Sequence, residues 1–344
     1  MTYKKRSSGT LSTEEQLRQI IPHYPKVLDN RILPFLDQYC LEIIRHASLV
    51  VVGSNNSEIP ITVFNNQDLQ VIDETKIQLP IRRLSTKDSK SESKSSASLY
   101  FLVPGIGHGL RVNGRLKLEN DLVHLAVTGA YVHCARAAAR SGLWESSILN
   151  SSDNPDNPEN SKVTFPSTHQ SFLQQSSFLL LKTMNERFET ELSPRGDETG
   201  FVKMINDHAI FIPERPGNKV AISLRNILKN SSIELLMFKP GCLSLMRVKG
   251  SASVTTDGTL LDSSIVNNKR PKLGIKVENC EFEIFHSDAL DTNAPWLASS
   301  QKSSEQLTRF SSVLSTHMNG KGLLAKVATP VVQMIVNHDM KNLY

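Results

Sequence analysis

Phe101 to Leu116 reads FLVPGIGHGLRVNGRL, and Met237 to Ala252 reads MFKPGCLSLMRVKGSA. Aligned without a gap, Pro104, Gly105, Arg111, Val112 and Gly114 fall on Pro240, Gly241, Arg247, Val248 and Gly250. Both stretches predict a turn followed by an alternating strand. They lie 136 residues apart, far beyond the roughly 20–50 residues of a solenoid repeat, so each belongs to a domain-sized unit and the chain reads as a tandem duplication.

The likeness extends outward from this anchor. Phe35-Leu36-Asp37-Gln38 matches Phe172-Leu173-Gln174-Gln175, LVVVGS from Leu49 matches FLLLKT from Phe178, and IQLPIR from Ile77 matches IFIPER from Ile210. Copy one then spans residues 30–146 and copy two 166–296, with an extension over 1–29, a linker over 147–165 and a helical tail over 297–344. Half a dozen predicted strands and one or two short helices in each copy suggest a mainly β fold (α+β) of two small barrels, since closure removes exposed edges. In copy two a helix is expected over 220–229; helices are also expected over 13–21, 32–45, 304–314 and 322–336, the last interrupted by Pro330.

With 344 residues, 39% hydrophobic, the chain can bury two cores of ordinary size. No apolar run approaches the roughly 18 residues of a membrane span, and the basic start lacks the apolar stretch of a secretory signal, which points to a cytoplasmic protein. A net charge of +5, spread out and not interleaved with aromatics, argues against a nucleic-acid partner. Cys40, Cys134, Cys242 and Cys280 are scattered without metal-ligand spacing, so no metal site is expected and the thiols read as reduced. Residues 85–98, half serine, read as a flexible loop, and the Asn/Asp/Ser/Pro-rich stretch around the linker reads as a connector.

Chemistry-bearing residues gather in copy two: Ser193-Pro194-Arg195-Gly196-Asp197, then Pro213-Glu214-Arg215-Pro216-Gly217-Asn218-Lys219, then Ser223-Leu224-Arg225-Asn226. Copy one instead holds Tyr131-Val132-His133-Cys134-Ala135-Arg136 and Arg140-Ser141-Gly142-Leu143-Trp144. On these motifs the chain resembles the pyridoxamine 5'-phosphate oxidase-like FMN-binding split-barrel family, in the subgroup with SPRGD, RPGN, SLRNIL, LRVNG and HCAxA elements. The resemblance covers about 240 residues. It implies an FMN cofactor held at a dimer interface, here an intrachain pseudo-dimer.

The residues read independently in the same direction. Arg195 and Arg215 offer planar forks for a phosphate, Gly217 permits close backbone approach, and Asn218, Lys219 and Ser223 add donors. The alternative is a surface turn closed by an ion pair. Followed outward with insertions and deletions, the comparison gives copy one Asn66 where copy two has Arg195, and the His133-Cys134 pair becomes Glu283-Ile284 in copy two. Each copy keeps what the other lost, so one FMN is expected between the copies. The resemblance makes Arg195, Arg215, Asn218, Lys219 and Ser223 phosphate or ribityl contacts, and Arg111, His133, Arg136 and Trp144 candidates for the ring side; His133 and Trp144 read equally as packing residues.

Gly105-Ile106-Gly107-His108-Gly109 enters a strand, not a helix, and is read as a turn and not as a dinucleotide fingerprint. The implied function is FMN-dependent oxidation or reduction of a small molecule, with NAD(P)H as a candidate electron source. The alternatives are a non-catalytic FMN-binding protein and a cofactor-free interaction module. The tail is expected to pack on the barrels or to cover the eroded second site.

Overall fold

The computed structural model describes residues 9–57, 59–82, 95–119, 122–145, 169–320 and 323–344. The linker over 147–165 and most of the serine-rich loop lie outside the described residues. Strand β1 (Thr10–Leu11) and helix α1 (Glu14–Ile20) lead into the first half: α2 (Gln38–His46), β2 (Leu49–Ser54), β3 (Thr62–Asn65), β4 (Gln70–Asp73), β5 (Lys76–Arg82), β6 (Ser96–Leu102), β7 (Gly109–Glu119), β8 (Leu122–His133) and α3 (Arg136–Ser141). The second half runs α4 (His169–Gln175), β9 (Phe178–Met184), β10 (Thr190–Gly196), β11 (Lys203–Asn206), β12 (Ala209–Pro213), α5 (Ile222–Ile227), β13 (Ser232–Phe238), β14 (Ser244–Thr255), α6 (Gly258–Asp262), β15 (Gly274–His286) and α7 (Asp288–Asn293). Helices α8 (Phe310–Asn319) and α9 (Leu323–Lys341) follow.

The fold is mainly β with short helices, two split-barrel sheets in tandem. The first sheet orders its strands β3-β2-β6-β7-β8-β5-β4 and the second β10-β9-β13-β14-β15-β12-β11, with β1 added beside β14. Counted within each half, the two orders are the same. Strands β2 and β9 are continuous apolar runs, which an antiparallel strand carries when both of its faces are covered. Val50 and Val52 enter the first barrel's core, and Leu179 and Leu181 the second's. Leu49, Val51, Phe178 and Leu180 instead meet in a third core between the barrels, joined by Leu102, Leu192, Leu236 and Phe238. Each such side chain contributes about 1.5–3 kcal/mol by leaving water.

Strand pairing fixes which residues are equivalent. Arg111 lies opposite Tyr100 and Tyr131; Arg247 lies opposite Leu236 and Glu283. Carried through β2 and β9, this register puts Phe64, not Asn66, at the position of Arg195. It likewise matches His133 and Cys134 with Phe285 and His286, not with Glu283 and Ile284. The sequence comparison slips by two residues at both places because loop lengths differ, a shift that keeps the same face outward and so leaves the apolar pattern unchanged, whereas the cross-strand pairs fix the register. Register also shifts beside Gly114 and Gly250, where a Cβ would stand 2.4 Å from the Ala126 carbonyl oxygen and 2.6 Å from Val277 Cγ1, so this bulge demands glycine in both halves.

The two arginines cross the interface reciprocally. Arg111 donates to the Leu192 carbonyl at 2.9 Å, and Arg247 to the Ile61 carbonyl, also at 2.9 Å; the two acceptors are themselves equivalent. Gly53 and Lys182 are equivalent too and touch each other: a Cβ on Gly53 would lie 3.1 Å from Lys182 Cδ. Buried Lys182 pairs with Glu234 at 2.8 Å and donates to the Ser54 carbonyl.

Helices depart from expectation at their ends. Pro34 excludes the helix from 32–37, so α2 begins after the Asp37 cap. The helix expected over 220–229 shortens to six residues because Lys219 and Ala221 adopt left-handed backbone. Pro330 lies inside α9 without ending it. Among the described residues no helix is long and apolar enough to cross a membrane.

Candidate functional site

Helix α3 of the first half lies against strand β10 of the second. Gly196 makes this approach possible, since a Cβ there would stand 2.1 Å from the Ala137 carbonyl oxygen. The motif residues on either side face different ways. Arg195 donates to Ser223 Oγ at 2.5 Å and to Glu214 Oε2 at 3.1 Å, while fully buried Asp197 pairs with Arg215.

Around this junction lies a cleft of about 540 Å³, built by both halves and within the roughly 300–1,000 Å³ of small-molecule sites. Its cationic lining is Arg31, Arg136, Arg140, Arg195, Arg215, Lys219, Lys269, Arg270 and Lys272, against a single carboxylate, Glu214. Ile20, Ile21, Pro22, Phe201 and Leu273 supply an apolar wall. Arg31 and Arg136 are only 6% and 8% exposed, and their Nε atoms, like that of Arg140, make no hydrogen bond. Arg195 pairs with Glu214, Arg215 with Asp197, Arg136 with Asp339 and the exposed Arg270 with Asp262, so the surplus positive charge of the cleft rests on Arg31, Arg140 and the exposed Lys219, Lys269 and Lys272.

Tyr131 stands between two guanidiniums, Arg31 at 4.9 Å and Arg111 at 4.2 Å from its ring centre, and burial pushes its phenol up to about 12. His133, at the end of β8, is held well below the ordinary imidazole range by burial and by Arg111, Arg31 and Arg195, so it is neutral at pH 7. Burial and neighbouring Arg136 also depress Arg140, which nevertheless stays cationic.

The cleft brings together Arg195, Arg215, Gly217, Asn218, Lys219 and Ser223 from the second half with His133 and Arg136 from the first. Gly217 meets nothing where a Cβ would be, and the turn's left-handed residues are Lys219 and Ala221 instead. Asn218 turns its Oδ1 to the Val220 amide at 3.0 Å. Arg111 and Trp144 do not line the cleft. Arg111 sits behind Tyr131 and pairs with Glu191 across the interface. Trp144 donates to the Ile106 carbonyl at 2.8 Å and packs on the interface core.

Sequence reasoning passes over Arg140, although it stands in the quoted Arg140-Ser141 motif, and over Lys269, Arg270 and Lys272, a visible basic run. Arg31 and Tyr344 carry no sequence signal; only folding brings them in. Tyr344 donates its hydroxyl to Asp197 Oδ1 at 2.5 Å, so the tail, whose Leu307 and Val313 pack in the first barrel's core, ends at this cleft. All four cysteines are free, and among the described residues no three His, Cys, Asp or Glu side chains gather as a metal site would need.

No protein-family model and no curated protein matches the chain. Matching solved structures include general stress protein 26 from Bacillus anthracis, 15% identical over 34% of this chain and 93% of that one, TM-score 0.27. A protein of the pyridoxinephosphate oxidase family from Clostridium acetobutylicum is 9% identical over 33% of this chain and 83% of its own, TM-score 0.25. The FAD binding protein from Mycobacterium smegmatis is 12% identical over 34% of this chain and 92% of its own, TM-score 0.24. Each match spans about one third of this chain.

Proposed function

We propose that the cleft binds FMN, one per chain, and that the protein is an FMN-dependent oxidoreductase acting on a small molecule. One observation carries this reading: Arg195, Arg215, Asn218, Lys219 and Ser223, which the motif resemblance assigns to the flavin phosphate or ribityl chain, share one cleft with the ring-side candidates His133 and Arg136 of the first half, a cation-rich lining and an apolar wall. A flavin mononucleotide joins a phosphate to a flat apolar ring system, and the lining offers both kinds of surface. Arg195, Arg215, Lys219, Ser223, Arg136 and Arg140 would hold the phosphate by charge-assisted hydrogen bonds. When bound, FMN supplies hydride or electron transfer itself.

The chain's own part is to orient and shield. Neutral His133 and Tyr131 present hydrogen-bonding groups without charge, and Phe201 and Leu273 keep water from one wall. NAD(P)H is the proposed electron source. A second reading, FMN binding without turnover, is favoured by the entry of Tyr344 into the cleft, which takes space a substrate would use.

The purified chain tests both readings. Bound flavin at one equivalent per chain, bleached by NAD(P)H and restored by air, is the expected result for an oxidoreductase. Stoichiometric flavin that no reductant bleaches would leave the binding role alone. No flavin, or two equivalents, would refute the single-site reading.

A further inference from the structure

We propose that the segment 338–344 is an internal, displaceable occupant of the cleft, which a phosphate-bearing ligand must release in order to bind. The ligand class rests on the proposed function above; the occupancy itself rests on contacts. Three successive main-chain oxygens are taken by three cations of the cleft: Arg136 donates to the Asn342 carbonyl at 2.8 Å, Arg140 to the Leu343 carbonyl at 2.8 Å and Lys269 to the Tyr344 main-chain oxygen at 2.8 Å. Asp339 adds an ion pair to Arg136 at 3.6 Å. The Tyr344 ring covers the Arg215 guanidinium at 5.4 Å, and its hydroxyl bonds Asp197, the carboxylate that pairs with Arg215.

The segment therefore satisfies Arg136 and Arg140 chiefly through neutral carbonyls, those of Asn342 and Leu343, helped by the half-exposed Asp339 carboxylate. A bond from a guanidinium to a neutral carbonyl is charge-assisted on the donor side only, whereas a phosphate oxygen bears charge itself and accepts guanidinium donors bidentately. The segment is also loosely founded. Residues 338–344 are exposed or half-buried, and the α9 surface behind them leaves Val331, Met334 and Ile335 more than half exposed. Elements with so little burial open at low free energy. A held but shallow strap across a cationic cleft is a competitor, and its release is a threshold that ligand must overcome.

The test compares the full chain with one ending at Lys341 and with Tyr344→Ala. FMN affinity should rise about tenfold in the shortened chain, as for a strap closed about nine-tenths of the time, and less in Tyr344→Ala. Hydrogen exchange at the amides of 338–344 in the full chain should accelerate when FMN is added. Unchanged or weaker FMN binding by the shortened chain, or stronger protection of 338–344 with FMN, overturns the proposal, the latter making the segment a closing lid. If neither chain binds FMN, the flavin reading fails by itself, and inorganic pyrophosphate decides the strap. Tighter pyrophosphate binding by the shortened chain supports displacement; equal or weaker binding refutes it.

Discussion

The interface between the barrels has two equivalent sides with opposite chemistry. On one side α3 brings Arg136 and Arg140 over Gly196, beside Arg195. On the other, α7 brings Asp288 and Thr292 to the same two positions, and Phe64 stands where Arg195 would be. Asn293 bonds Asn65 there, closing α7 onto β3, whereas their counterparts Ser141 and Gly196 leave α3 resting on bare backbone. The same backbone arrangement is built twice; only on the α3 side is it lined by a cluster of cations.

Substitutions at equivalent positions can break or sharpen this contrast. The largest effect is expected of Arg111→Ala, which strips a partner from mostly buried Glu191 and should cost about 3–5 kcal/mol in urea unfolding. Its counterpart Arg247→Ala leaves Glu283, 60% exposed, in water and orphans only the Ile61 carbonyl, so about 1–2 kcal/mol is expected. Equal losses would mean that the two sides are energetically alike. Next, Gly196→Ala should lose about 3 kcal/mol by overpacking against Ala137, while Asn65→Ala at the equivalent position, which already carries a Cβ, should lose only its hydrogen bond with Asn293, about 1 kcal/mol.

Arg195→Ala should weaken FMN binding about 100-fold by equilibrium dialysis, because a desolvated phosphate loses charge-assisted bonds. Phe64→Ala should leave FMN affinity unchanged, and a matching loss there would place a second site on the far side. The smallest effect concerns acid. Burial lowers the His133 pKa, so the unfolded chain binds its proton first and stability must fall as pH drops below about 6.5. His133→Phe, which copies Phe285, should flatten that decline between about pH 7 and pH 5 in urea midpoints. Part of the decline should persist through His108, depressed to about 4 by burial. An unchanged slope would mean that His133 titrates normally.

Much of the architecture is legible in the sequence because the same physics writes it twice. The runs at 49–54 and 178–183 can be continuous only if both faces are covered, and the shared glycines Gly114 and Gly250 mark one bulge. That Arg195, Arg215 and Ser223 belong to one place is legible from residue type and motif, and the structure lines a single cleft with them. What escapes is whatever depends on register or distance. The places of Phe64 and Phe285 follow from strand pairing that loop insertions hide, and Arg111, a ring-side candidate on the resemblance, is engaged by Glu191 and Leu192. Arg31 and Tyr344 reach the cleft from opposite ends of the sequence, with no local pattern to announce them.

Where the two barrels cross sit one lysine and one glycine, Lys182 against Gly53. Two identical subunits about a twofold axis would meet there as lysine on lysine or glycine on glycine. The first sets two ammonium groups against each other in a dry place, and the second leaves a void. A single polypeptide is released from that parity rule. It can fit bulk against hollow at its own centre, and the same freedom lets one flank specialise while the other is sealed.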